Sequence, residues 1–135
     1  MGSFTTPLVV EHLGGRFWEI QQTFTYSVGH ANSTEHIMVP QGFITNFAAV
    51  PWILCGLNPI VETYGKAVVV HDLLYATQSG SAGSGLLYTR KRADEIFLEG
   101  LKVLKVSAWK RRLIYCAARL FGSRAWISSA KAFGS

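Results

Sequence analysis

A change of hydrophobic period near residue 60 constrains this chain more than any other feature. Before it, residues 17–26 place Trp18, Ile20, Gln22, Phe24 and Tyr26 on one face and Phe17, Glu19, Gln21, Thr23 and Thr25 on the other. That alternation, rich in aromatic and β-branched residues, is the pattern of a half-buried strand, with the first face turned inward. Residues 8–10 precede Gly14-Gly15 and read as a partner strand joined by a turn, and residues 35–39 supply a third strand before Pro40. Together they predict one short antiparallel sheet within residues 8–45. Residues 41–51, punctuated by Gly42 and Pro51, keep neither period and read as an apolar loop or bent strand.

After the change, apolar residues recur every three or four positions. Residues 62–75 carry Ala67, Val70, His71, Leu74 and Tyr75 at that spacing. Residues 79–85 are Ser, Gly and Ala, too small to pack, and read as a mobile connection. Residues 90–106 predict a second helix with Ala93, Ile96, Phe97, Gly100, Leu101 and Leu104 along one stripe, and residues 108–121 a third with Leu113, Ala117 and Leu120 inward. The expected fold class is therefore α+β: a small N-terminal antiparallel sheet packed on about three C-terminal helices. One domain is expected over residues 1–135, strand-rich over 1–50 and helical over 51–131.

Composition removes several classes. With 49% hydrophobic and only 16% charged residues, intrinsic disorder is not the main state. The longest uncharged apolar stretch, residues 47–61, is broken by Pro51, Gly56 and Pro59 and falls short of the roughly 20 residues that span a bilayer. No basic segment leads into an apolar run at the start, so synthesis in the cytoplasm is expected. Cys55 and Cys116 sit among apolar neighbours, as buried thiols do. Charge is uneven. Residues 1–89 hold two basic and five acidic side chains, and residues 90–135 hold eleven and three, giving −3 and +8 within a total of +5. Lys110, Arg111 and Arg112 oppose the dipole at the start of their helix, so they read either as a solvated face or as a binding site for an anion. Nucleic acid, anionic lipid and an acidic protein surface all fit such a field.

The sharpest local feature is Val70-His71-Asp72-Leu73-Leu74-Tyr75. On a helix His71 and Tyr75 share a face one turn apart, while Asp72 points about 100° away. Polar groups among so many apolar ones are costly unless hydrogen bonded or bound to a ligand. If the next helix packs antiparallel, Asp94 reaches His71, and a carboxylate there would fix the imidazole tautomer and raise its basicity, as a general base requires. The alternative is a purely structural network tying the helix to residues 42–51. Thr45 and Asn46 read as turn or cap residues or as ligands. Trp52, Trp109 and Trp126 read as core or interface anchors. Walker, dinucleotide-binding and nucleophile-elbow motifs are absent from the sequence, and His12, His30 and His36 lack the spacing of a His-Asp phosphohydrolase.

Two resemblances follow from these residues. The His71-Asp72, Tyr75 and Asp94 set resembles the core of the calcium-dependent phospholipases, which implies His71 as base, Asp72 as calcium ligand, Asp94 as the group orienting His71, and Tyr75 in support. No glycine-rich calcium loop of that family's type accompanies them, so no cofactor is expected unless that reading holds. Over a wider span, Gly42-Phe43-Ile44-Thr45-Asn46, Val50-Pro51, His71-Asp72-Leu73-Leu74-Tyr75, Arg90 to Asp94 and Phe97 are similar to an uncharacterised family of small bacteriophage and prophage proteins. That family has Asp and Ser where this chain has Asn46 and Ala49.

The leading expectation is a phage-encoded binding or structural protein, a virion or tail component that ends in the particle. Its partners would be other phage structural proteins or further copies of itself. The alternative is a phospholipase-like hydrolase acting through His71, Asp72 and Asp94 at the host envelope.

Overall fold

The computed structural model describes residues 2–15, 17–31, 33–45, 64–78, 88–123 and 126. Among them are six strands and then three helices, an α+β arrangement as expected. The strands are β1 (Ser3–Phe4), β2 (Val10–Gly14), β3 (Phe17–Ile20), β4 (Phe24–Ser27), β5 (His36–Val39) and β6 (Ile44–Thr45).

They form two antiparallel sheets, not one: β1-β4-β5 and β2-β3-β6. The expected single strand over residues 17–26 divides at Gln21-Gln22-Thr23, and its halves enter different sheets. The division has a chemical cause. Ile20, Phe24 and Tyr26 are buried as the alternation requires, but Gln22 is exposed, because a primary amide there would be costly to place in the core. The chain therefore turns at the amides and pairs each apolar half separately. Gln41 N donates to Thr23 Oγ1 (2.9 Å) and Ile20 N to Phe43 O (2.9 Å), so this crossing is tied on both sides.

In the first sheet Phe24 faces Val39 and Tyr26 faces Ile37 across β4 and β5, and these four side chains are buried. In the second, Trp18 lies opposite Thr45 and Ile20 opposite Val10 on the inner side, while Glu19 lies between Glu11 and Ile44 on the outer side. β2 begins at Val10, not residue 8, and runs to Gly14, where Gly14 and Gly15 take φ of 111° and 58°. Those positive values suit glycine and let the strands join tightly.

The helices are α1 (Gly65–Thr77), α2 (Arg90–Val103) and α3 (Ala108–Phe121). α1 is buried on nearly every side, including Val68, Val69 and Leu73 outside the expected stripe, so it is the central helix and not an amphipathic surface one. α2 is capped by Thr89, whose hydroxyl accepts from Arg92 N (3.1 Å), and ends earlier than expected, with Lys105 left-handed at φ 62°. α1 and α2 are antiparallel. Ala67 faces Gly100, and further along His71 and Tyr75 face Phe97 and Asp94. Close approach explains Gly100, since a Cβ there would lie 3.2 Å from that of Ala67. Carboxylates clamp the first sheet to α2. Tyr26 OH and Gly29 N donate to Glu99, while Tyr88 OH and the Arg92 guanidinium donate to Glu35.

α3 overturns one expectation. Its inward residues are Ile114 and Ala118, whereas Leu113 and Leu120 are exposed, as is Phe121. Arginine contacts hold this rotation: Arg90 donates to the carbonyls of Ala118 (3.0 Å) and Arg119 (3.2 Å) in the last turn, and Arg119 reaches back to Asp94 of α2. A small inner face lets these groups meet. Cys116 is exposed in consequence, contrary to its reading as a buried thiol. Cys55, Trp52, Ala49 and the Ser/Gly connection lie outside the described residues.

Candidate functional site

Asp94 is the centre of the polar cluster. It is 0% exposed, set one turn into α2 where the apolar stripe of Ala93, Ile96 and Phe97 meets α1. A carboxylate there must be satisfied completely. Its Oδ1 accepts from His71 Nε2 at 2.7 Å and from Tyr75 OH at 2.6 Å, and its Oδ2 accepts from Arg119 Nη1 at 2.9 Å. Arg90 Nη1 stands 3.6 Å from the same Oδ2. Burial by itself would raise the carboxyl's pKa, but the hydrogen bonds from His71, Tyr75 and Arg119 outweigh it and hold the group below its ordinary value of 3.8. Asp94 is therefore ionised at neutral pH. Burial, with the Asp94 hydrogen bond added, pushes the Tyr75 phenol well above its ordinary range, so the phenol stays protonated and donates.

An ionised carboxylate only accepts, so the proton on the shared hydrogen bond belongs to His71 Nε2; in a neutral ring Nδ1 then carries the lone pair. Nδ1 is buried and has no hydrogen-bond partner among the described residues. The ring is 4% exposed and held between the Tyr75 ring (centroids 4.2 Å apart) and the Phe97 ring (4.3 Å). Trp126 then closes edge-on over Tyr75 at 5.1 Å. This is the orientation of an Asp-supported imidazole base, enclosed by aromatic rings.

Asp72 turns away from that cluster, as the helical spacing requires. Its Oδ2 accepts from the hydroxyl of Thr45, which is itself buried in β6, so α1 is tied to the second sheet. Thr45 thus serves as a link between elements, not as an exposed ligand. Asn46 lies outside the described residues. A calcium ion takes six to eight oxygen ligands, usually several from carboxylates. Among the described residues no group of three or more His, Cys, Asp or Glu is gathered for a metal, and Asp72 has Thr45 as its hydroxyl partner.

The structure thus joins His71, Tyr75 and Asp94, as the helical spacing and the antiparallel packing anticipated, and places Asp72 with Thr45. Lys110, Arg111 and Arg112 are elsewhere, on the first turns of α3. Arg111 donates to Val106 O (3.1 Å) and so caps the turn before its own helix, Lys110 lies 5.6 Å over the Trp109 ring, and Arg112 is exposed. Arg119 is the member of the cluster that the sequence did not reveal. The spacing of Arg90 and Asp94, one turn apart, signalled Arg90 as a partner, whereas the reach of Arg119 depends on the rotation of α3.

No helix among the described residues is long and apolar enough to cross a membrane. No curated protein and no solved structure matches the chain. A family match covers residues 18–118, from β3 through Ala118 of α3, and so takes in the whole His71, Asp72, Tyr75 and Asp94 constellation. The chain belongs to the family described as protein of unknown function (DUF1353).

Proposed function

We propose that the chain is a phage-encoded binding protein, built into the virion or its tail, in which the His71–Asp94 cluster locks the helices together and is not a reaction centre. The observation that carries this reading is the complete use of Asp94: two donors on one oxygen and a guanidinium on the other, at 0% exposure. Such a network, once satisfied, fixes one packing of α1, α2 and α3. Asp72 and Thr45 do the same between α1 and the second sheet. The phage assignment rests on the resemblance of the sequence blocks. It implies synthesis in the host cytoplasm, incorporation into the particle, and phage structural proteins or further copies as partners. Mass spectrometry of purified particles tests it. Recovery in a fixed ratio to the other particle proteins is expected, and presence only in infected cells would overturn it.

A second reading has one observation in its favour, the buried Nδ1 of His71, which has no hydrogen-bond partner among the described residues. With Nε2 given to Asp94, Nδ1 is the atom that would take a proton from water in a phospholipase-like hydrolase. Fatty-acid release from bilayer phospholipid, lost in His71→Ala, would establish that reading. None is expected, because the aromatic rings around His71 leave it 4% exposed.

A further inference from the structure

Two outward faces of this chain are apolar and carry opposite charge. On α3, Trp109, Leu113 and Leu120 fall at spacings of four and seven, one stripe along the helix, and are 59%, 42% and 72% exposed. Arg112 flanks that stripe. The outer side of the second sheet presents Phe17, Leu13 and Ile44, which are 54%, 47% and 49% exposed. Here the flanking charges among the described residues are negative: Glu19 sits in register with both Glu11 and Ile44. Gln21 Nε2 donates to both carboxylates, at 3.3 and 3.0 Å, and so holds the two like charges side by side on that surface.

We infer that these faces are complementary and that α3 of one copy docks on the outer face of the β2-β3-β6 sheet of a second copy. A helix laid on a sheet is a standard way to bury one apolar stripe against one apolar face. The charges select this pairing. Helix against helix would bring Arg112 and Lys110 toward the same residues of the other copy, and sheet against sheet would face Glu11 and Glu19 with themselves. Because the two faces differ, the contact is heterologous, and each copy keeps one unused face for the next. Repetition then builds a ring or a filament rather than a closed pair. The apolar stripe also disfavours nucleic acid, which asks for cations and stacking surfaces rather than leucines.

Mixing two single-face variants tests this. Phe17→Asp spoils only the sheet face and Leu113→Asp only the helix face; both sites are exposed, so melting temperature and circular dichroism should match the wild type. Analytical ultracentrifugation should show the wild type assembling beyond a dimer as concentration rises, each variant alone as a monomer, and the equimolar mixture as a one-to-one dimer. Trp109→Ala should weaken assembly by about 30-fold, the effect of losing one aromatic anchor. Glu19→Arg should disrupt it and Arg112→Glu in the other copy should restore it. A wild type that stays monomeric at all concentrations would overturn the inference, as would variants that lose assembly yet fail to pair when mixed. Binding of the monomeric wild type to anionic vesicles, lost in Leu113→Asp, would assign the helix face to lipid instead.

Discussion

Replacing Asp94 with Ala removes the acceptor for His71, Tyr75 and Arg119 at one stroke. The His71 ring and the Tyr75 hydroxyl then remain buried without a partner, at about 1–3 kcal/mol each, whereas the Arg119 side chain is 31% exposed and recovers water. The expected loss is about 2–6 kcal/mol, those two penalties taken together. His71→Ala leaves Asp94 with Tyr75 and Arg119 but empties the space between two aromatic rings, so roughly 2–4 kcal/mol is expected. Part of each loss is the same bond, and the double variant should lose less than the sum by about 1.5–3 kcal/mol. Urea unfolding of the four proteins measures this coupling. If the double variant does not fold, His71→Gln and Asp94→Asn give a cycle with an expected coupling of about 1 kcal/mol. Additivity within about 0.5 kcal/mol would refute the pairing on which the site is built.

Two further outcomes follow from the same geometry. The Asp94 carboxyl is held below its ordinary 3.8, so the unfolded chain binds the extra proton in the window beneath that value; stability is present above it and falls as pH drops through the folded value. Urea titrations between pH 5 and pH 2 should therefore show the advantage of wild type over Asp94→Asn shrinking as pH falls, and a constant difference would contradict the assignment. Gly100→Val should lower stability by about 1–3 kcal/mol in thermal melts, because a Cβ there already lies 3.2 Å from that of Ala67 and the branched side chain has no room; an unchanged melting temperature would show that α1 and α2 do not approach so closely.

What the sequence made legible was local and periodic. α3 begins and ends where the period places it, and α2 starts at its expected first residue, since Thr89 caps it through its own side chain. The meeting of His71 with Asp94 was also legible, because each is a polar group on an otherwise apolar helix face and burial obliges such groups to find partners. Choices made by tertiary contacts were not. The run at residues 17–26 alternates continuously through Gln22, and nothing local says that its halves will pair with different strands. On α3 the wider apolar face looked inward by hydrophobicity alone, yet the contacts of Arg90 and Arg119 rotate it out. Arg119 entered the site only through that rotation.

A calcium titration followed by thermal unfolding tests most directly whether the His-Asp constellation is a structural lock or a reaction centre. Asp72 is turned to Thr45 and no carboxylate cluster accompanies it among the described residues, so millimolar calcium should leave the melting temperature of the wild type unchanged and equal in its response to that of Asp72→Asn. A bound ion would stabilise the folded state by about 2.7 kcal/mol at 100 times its dissociation constant. A rise of the melting temperature with calcium that disappears in Asp72→Asn would contradict the account and restore the phospholipase-like hydrolase in its place.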